Sequence, residues 1–293
     1  MNNRCKGITE CNFLKSLFDK IRIVNPISNK VINFSDKGIN FEDSNCHEFW
    51  GRNDKCENCI TMRAFNENRT FIKIECKDDR VYSIAAIPIS DESDRYVVEC
   101  IRDITDSMLI DDVNSKSIDE IYREISRLNK LVITDDLTNC YNRRYINERL
   151  PLEIKKAKEN KEKLSIAILD IDFFKAVNDK FSHLIGDYVL KQVAEIIDIN
   201  IRKNYDWIGR YGGEEFLIMF KNLDKENSIQ LAELIRSIVE KHKFRYRDIE
   251  IDLTVSIGIA ELSTDIETME KLIEEADKNL YRAKALGRNL VIG

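Results

Sequence analysis

Four carboxylates at two places in this 293-residue chain could do metal-assisted chemistry. Asp170 and Asp172 close the apolar run Ser165-Ile166-Ala167-Ile168-Leu169. Glu214 and Glu215 stand between Gly212-Gly213 and the apolar run Phe216-Leu217-Ile218-Met219-Phe220. A carboxylate beside a buried strand is costly unless it is paired or coordinated. Acids at adjacent strand ends and turns can cradle Mg2+, which takes one or two carboxylates and fills its other positions with substrate phosphates and water. A lone Gly-Gly-Glu-Glu also describes a solvated surface hairpin, so its weight depends on the company it keeps.

The densest cluster of soft ligands lies elsewhere, in Cys46-His47 and Cys56-Glu57-Asn58-Cys59. A Cys-x-x-Cys pair can share one Zn2+ or iron–sulfur cluster, with Cys46 or His47 completing the set. It can equally act as a redox pair or stay unligated, and a single pair is half of a zinc pattern. Seven of the eight cysteines fall within the first 100 residues, so the two halves of the chain have different work.

Composition limits the function classes. The net charge of −6 is spread over interspersed acids and bases, with no polybasic run. This argues against a duplex nucleic-acid binder, which needs a cationic face to release phosphate counterions. No apolar run approaches the roughly 18 residues of a membrane span, and MNNRCKGITE lacks the apolar core of a signal peptide. A cytoplasmic protein with reduced thiols is the expectation.

The elements that must position these groups follow from periodicity. Residues 1–106 read as a short helix followed by strands, with alternation clear over Thr70–Cys76, Val81–Ile89 and Tyr96–Ile101. Residues 107–134 read as a helical connector. Its Ile118, Ile121, Ile125, Leu128 and Val132 form an a/d seam, which suits either a parallel coiled coil between two protomers or a helix lying on its own domain. Residues 135–293 alternate helices and strands: a strand at Ser165–Asp170, a helix at Asp187–Ile201 and a strand at Glu215–Phe220. A helix at Lys225–Lys243, a strand at Ile249–Leu262 and a helix at Ile266–Ala285 complete the order. The expected fold class is α+β, with helices packed on a mainly antiparallel sheet in the C-terminal domain.

Six motifs in order give the acids their company. They are Asp136-Leu137-Thr138 with Tyr141-Asn142-Arg143-Arg144; Leu169 to Asp179; Phe181-Ser182-His183 with Gly186-Asp187; Arg210 to Phe216; Thr254 to Ala260; and Tyr281 to Lys284 with Gly287-Arg288-Asn289. Over its last ~160 residues the chain resembles the GGDEF family of diguanylate cyclases, whose domain is a nucleotidyl-cyclase or palm-like α/β sandwich. The first 106 residues, through their closing strands and Arg102-Asp103-Ile104-Thr105-Asp106, resemble a PAS sensory domain.

The GGDEF resemblance implies condensation of two GTP into cyclic di-GMP by a homodimer, with cyclic di-GMP receptors downstream. The alternative is a non-catalytic receptor for GTP or cyclic di-GMP. It implies two Mg2+ ions, or Mn2+, on Asp170, Glu214 and the Ile171 carbonyl. Glu214 or Glu215 takes the proton, and Lys175 stabilises charge as the transition state forms. Lys284 and Arg288 grip phosphates, Gly212 and Gly213 admit them, and Asn178, Asp187 and His183 line the guanine pocket. Three departures stand out: Lys203-Asn204-Tyr205-Asp206 where members carry an inhibitory Arg-x-x-Asp, Ser182 for a glycine, and Asn139-Cys140 for Gly-Leu.

Overall fold

The computed structural model describes residues 12–35, 38–90, 95–105 and 118–293; within these, the side chains of 33–35, 38–43, 118 and 119 are left aside. The chain divides into two compact units, Met1–Val132 and Ile133–Gly293.

The first unit is built on a six-stranded antiparallel sheet. Its strands are β1 (Lys20–Asn25), β2 (Lys30–Ser35), β3 (Gly38–Asn45), β4 (Phe71–Lys77), β5 (Arg80–Ser90) and β6 (Arg95–Asp103), in the order β3-β2-β1-β6-β5-β4. Helix α1 (Asn12–Leu17) precedes the sheet, and α2 (Ile60–Glu67) lies between β3 and β4. The alternation of β6 decides the two faces. Val97 and Ile101 pack with Ile60 and Ala64 of α2, while Tyr96, Val98 and Cys100 pack on the other face with Ile23 and Ile32.

Helix α3 (Ile118–Ile133) covers part of the expected connector; residues 107–117 lie outside the described residues. The a/d seam does not stay on one surface. Ile125 is buried in this unit, whereas Leu128 is 49% exposed and Leu131 46%. Asn129 fixes the helix to its own unit by accepting from Asn58 Nδ2 at 2.8 Å and donating to the Ile74 carbonyl at 3.3 Å. The described part of the helix docks on its own unit.

The second unit begins with α4 (Arg143–Asn160), capped by Asn142, whose side chain accepts from the Tyr145 N–H. Then come β7 (Leu164–Ile171), α5 (Phe174–Phe181), α6 (His183–Asn200), β8 (Trp207–Gly212) and β9 (Glu215–Lys221). Next are α7 (Lys225–Lys241), β10 (Phe244–Tyr246), β11 (Ile249–Ile251), β12 (Val255–Glu261), α8 (Met269–Ala285) and β13 (Val291–Ile292). The main sheet runs β13-β12-β7-β9-β8, antiparallel except for β12 with β13.

All eight residues of β7 are buried. Ala167, Leu169 and Ile171 pack with α6 and α7, while Ile166 and Ile168 pack with α4 and α8. The strand lies at the centre of a three-layer stack, as its unbroken apolar run requires.

Several boundaries differ from the periodicity; one helix, for example, starts at His183 and not Asp187. The run Ile249–Leu262 is two strands, because Asp252-Leu253-Thr254 leave the first ladder before β12 starts. The last helix starts at Met269 and not Ile266, because Thr268 is extended and caps it by accepting from Lys271 N.

Candidate active site

Helix α8 reaches the acids because β12 carries a glycine. A Cβ on Gly258 would stand 2.1 Å from the Ala276 carbonyl and 2.2 Å from the Leu280 amide, so the helix backbone lies directly on the strand. Gly258 pairs with Ile168, and two residues along β12, Ser256 pairs with Asp170. Two strand residues advance about 6.7 Å and one helical turn about 5.4 Å. Lys284, one turn beyond Leu280, thus meets Asp170, and its Nζ lies 2.8 Å from Asp170 Oδ2.

The glycine turn brings in the other acids. Asp170 pairs in register with Glu215 on β9, and Gly213 takes φ +45°, a left-handed conformation that suits its type. Burial raises the Asp170 carboxyl above the usual range; Lys284 opposes this, while Glu214 and Asp172 add to it. Burial likewise raises Glu215, with Asp170 adding to the shift. Asp277, one further acid that the motifs did not single out, lies on α8 seven residues before Lys284 and is raised by burial while Lys284 opposes. Several carboxylates thus share one ammonium, an arrangement that favours added cations.

Asp172 behaves differently from Asp170, although both belong to one short run. It is 4% exposed and accepts three hydrogen bonds: Ser256 Oγ on Oδ1 at 2.7 Å, and Thr254 Oγ1 at 2.7 Å and the Asn289 amide at 3.0 Å on Oδ2. With its oxygens so occupied, it ties β12 and the C-terminal loop to the end of β7. Gly287, Arg288 and Asn289 in that loop have φ of +120°, +65° and +49°. The Arg288 guanidinium lies 4.5 Å over the Phe173 ring, which places this phosphate-gripping candidate beside the acid cluster.

The guanine-pocket candidates are partly assembled. Asn178 of α5 lies against Gly186 of α6, where a Cβ would come within 2.0 Å of its Oδ1, so glycine is what lets Asn178 sit beside the neighbour of Asp187. Lys175, His183 and Asp187 are exposed on the two helices. Arg210 links the opening motif to the turn by donating to the Gly213 carbonyl at 2.9 Å and to Asp135 at 3.1 Å. Burial opposes ionisation of Asp135, but Thr138 and Arg210 outweigh it and hold the carboxyl below its ordinary value.

The departures have physical consequences. Ser182 has φ +108° and ψ 160°, a region that glycine occupies freely and serine does not, so this substitution removes no ligand but carries strain. Asn139 takes φ +59°, which asparagine tolerates, and Cys140 is a buried packing residue whose thiol is pushed up to about 12 by burial. Asp206 is buried and bound by Arg202 through Nε at 2.8 Å and a terminal nitrogen at 2.6 Å, and it also accepts from the Lys221 amide at 3.1 Å. Arg202, and not the exposed Lys203, engages Asp206, and the pair braces the approach to β8.

Among the described residues, no group of three or more His, Cys, Asp or Glu side chains is arranged to hold a metal ion. The metal or iron–sulfur reading of Cys46, His47, Cys56 and Cys59 accordingly finds no support. Such a site needs four protein ligands. Mg2+ is different, since phosphates supply much of its shell, and the hard oxygens of Asp170 and Glu214 fit it. No helix among the described residues is long and apolar enough to cross a membrane.

Comparisons with known proteins identify the family. The family described as "Diguanylate cyclase, GGDEF domain" matches residues 132–290. The chain is 39% identical to Diguanylate cyclase A of Treponema denticola over 61% of its own length and 48% of the relative's. It is 38% identical to the response regulator PleD of Caulobacter vibrioides over 56% of its length and 36% of the relative's. It thus spans about half or less of these curated relatives. The solved coiled coil and GGDEF domain of DgcB from Caulobacter crescentus, in complex with c-di-GMP, is 30% identical. It superposes with a TM-score of 0.57 over 64% of this chain and 98% of that one. With the acid pair, the glycine turn and Lys284 held on the matching fold, this chain belongs to the GGDEF family of diguanylate cyclases.

Proposed function

We propose that this chain is a diguanylate cyclase that condenses two GTP into cyclic di-GMP with release of two pyrophosphates. The observation that carries this reading is the cluster at the end of β7. There the buried Asp170 faces Lys284 at 2.8 Å and pairs in register with Glu215. Asp170, Glu214 and the Ile171 carbonyl would hold Mg2+, or Mn2+, which would offset triphosphate charge and acidify the attacking 3′-hydroxyl.

The chain's own residues supply the rest. Lys284 and Arg288 bind phosphate oxygens as fixed cations, and Lys175 meets charge that builds up in the transition state. Asp187 accepts from guanine N1–H and the N2 amine, while Asn178 meets the remaining edge atoms; adenine would leave Asp187 unpaired in a partly desolvated place. Glu214 or Glu215 takes the 3′ proton. The raised Glu215 suits a group that must hold a proton for part of the cycle.

One domain holds one GTP, so the reaction needs a homodimer. Exposed Leu128 and Leu131 on α3 are the residues we assign to pairing. Ile125 is unsuited to testing this, because it is buried within its own unit. The first unit, with its central β1 and β6 neighbours and α2 on one face, acts as the PAS-like sensory module, and cyclic di-GMP receptors lie downstream.

The test is purified protein with Mg2+ and GTP, followed by nucleotide chromatography, alongside Glu214→Ala. Cyclic di-GMP from the parent and none from the variant is expected. GTP binding without product in every redox state would replace the enzyme with a nucleotide receptor. Leu128→Asp with Leu131→Asp should lower product per protomer at dilute protein while GTP binding persists. Unchanged activity there would remove α3 from dimer formation.

A further inference from the structure

The Cys56-Glu57-Asn58-Cys59 loop touches the helix that leads out of the first unit. Asn58, 8% exposed, donates through Nδ2 to Asn129 Oδ1 of α3 at 2.8 Å. Its own Oδ1 accepts from Arg63 at 3.1 Å, and its carbonyl accepts from Lys73 Nζ at 2.9 Å. Asn129 donates onward to the Ile74 carbonyl. One buried amide enclosed by two cysteines therefore joins α2, β4 and α3.

Cys46, Cys56 and Cys59 line a single cavity of about 20 Å³, which has room for about one water and none for a prosthetic group. Its charged walls are already engaged. Arg22 Nε donates to Glu99 at 2.6 Å, Thr61 donates to the other Glu99 oxygen, and Lys73 bonds Glu75 at 2.8 Å. The thiols are the groups there with chemistry to offer.

Cys56 and Cys59 sit in unlike surroundings. The Arg52 guanidinium lies beside the Cys56 sulfur. The Cys59 sulfur caps α2 by accepting from the Met62 amide at 3.5 Å. Burial, and then the neighbouring Cys56, push the Cys59 thiol up to about 11.

We propose that Cys56 and Cys59 are a peroxide-oxidised thiol site, and that α3 reads their state through the Asn58–Asn129 hydrogen bond. The Cys56 thiolate attacks hydrogen peroxide; an S–O bond forms, the O–O bond breaks, and hydroxide leaves. The Cys59 sulfur then attacks the Cys56 sulfenic acid. The S–S bond forms, the S–O bond breaks, and the departing hydroxide takes the Cys59 proton as water. Two thiols and one peroxide become one disulfide and two waters, with two electrons passing from sulfur to peroxide. A small thiol reverses the step by exchange. A disulfide holds its Cβ atoms about 3.8 Å apart, and the ring it closes contains Asn58. Closing the ring shifts the Asn58 backbone and withdraws its amide from Asn129.

The experiment treats the full-length reduced chain with hydrogen peroxide, maps disulfides by non-reducing peptide mass spectrometry, and follows amide hydrogen exchange over α3. A Cys56–Cys59 bridge is expected, with α3 amides exchanging about tenfold faster, the effect of losing one or two net hydrogen bonds. Cys59→Ser should stop at the Cys56 sulfenic acid, trapped by a dimedone-type probe, with α3 exchange unchanged. Asn129→Ala should form the bridge and show fast α3 exchange in both states. Exchange over β7 serves as the folding reference in each variant. A bridge that uses Cys46, no bridge at all, or a Cys56–Cys59 bridge that leaves wild-type α3 exchange unchanged would each overturn the proposal.

Discussion

The described buried acids of the first unit are all paired, whereas the second unit, which also pairs Asp172 and Asp206, leaves one cluster of acids crowded. In the first, each buried acid has close partners: Glu99 with Arg22 and Thr61, and Glu75 with Lys73 and with Arg52 at 3.0 Å. In the second, the buried Asp170 meets Lys284 at 2.8 Å beside Glu214 and Asp172, and Asp170, half-buried Glu215 and Asp277 are all raised toward protonation. Settled charge leaves a unit's chemistry to its thiols. Unsettled charge is a standing demand for cations, which a nucleotide with its metals would meet. The contrast also runs within three residues of the second unit, where Asp172 has three donors and Asp170 faces one ammonium.

That contrast can be broken from the site outward. Asp170→Asn should reduce cyclic di-GMP formation about a thousandfold, measured as initial rate, with the unfolding midpoint held or raised. Relief of carboxylate crowding is the reason stability should not fall. Asp172→Ala should act mainly on stability, losing about 3 kcal/mol in denaturant unfolding, because Ser256, Thr254 and the Asn289 amide lose their acceptor together. An Asp172→Ala protein of normal stability would make the two acids alike. Ser182→Gly should stabilise the second unit by about 1 kcal/mol in the same measurement, by releasing the strain at φ +108°.

The smallest expected effect concerns pH. Burial works against the Glu75 carboxylate, but Lys73 and Arg52 outweigh it and hold its folded pKa below the ordinary 4.5. Its contribution to stability is therefore complete above that value and is lost as pH falls through the depressed folded value. Trp50 fluorescence in a Trp207→Phe background should report this loss from the first unit, and Glu75→Gln should flatten it.

Much of the second unit was legible because its motifs are local. The Gly212-Gly213 turn, the acid-ended β7 and the cations at the end of α8 each declare themselves within a few residues, and apolar runs place the strands. Ladder details were less legible: Asp252 to Thr254 interrupt one apparent strand, and only pairing partners decide that. Sequence spacing also put Ile125 and Leu128 on one seam, but one is buried and the other exposed, since tertiary docking of the helix selects the face.

The sequence by itself determined the family, the order of elements and most of the acids and cations to be considered for the site, because those depend on residue types at short spacing. Tertiary structure alone decided their roles. Asp172 became a clamp and Asp170 the open carboxylate because donors from β12 and the C-terminal loop, over 80 residues away, reach one and not the other. Asn58, unremarkable between two cysteines, met Asn129 across 71 residues of chain. Such partners are set by where the sheet brings segments together, which no local pattern encodes.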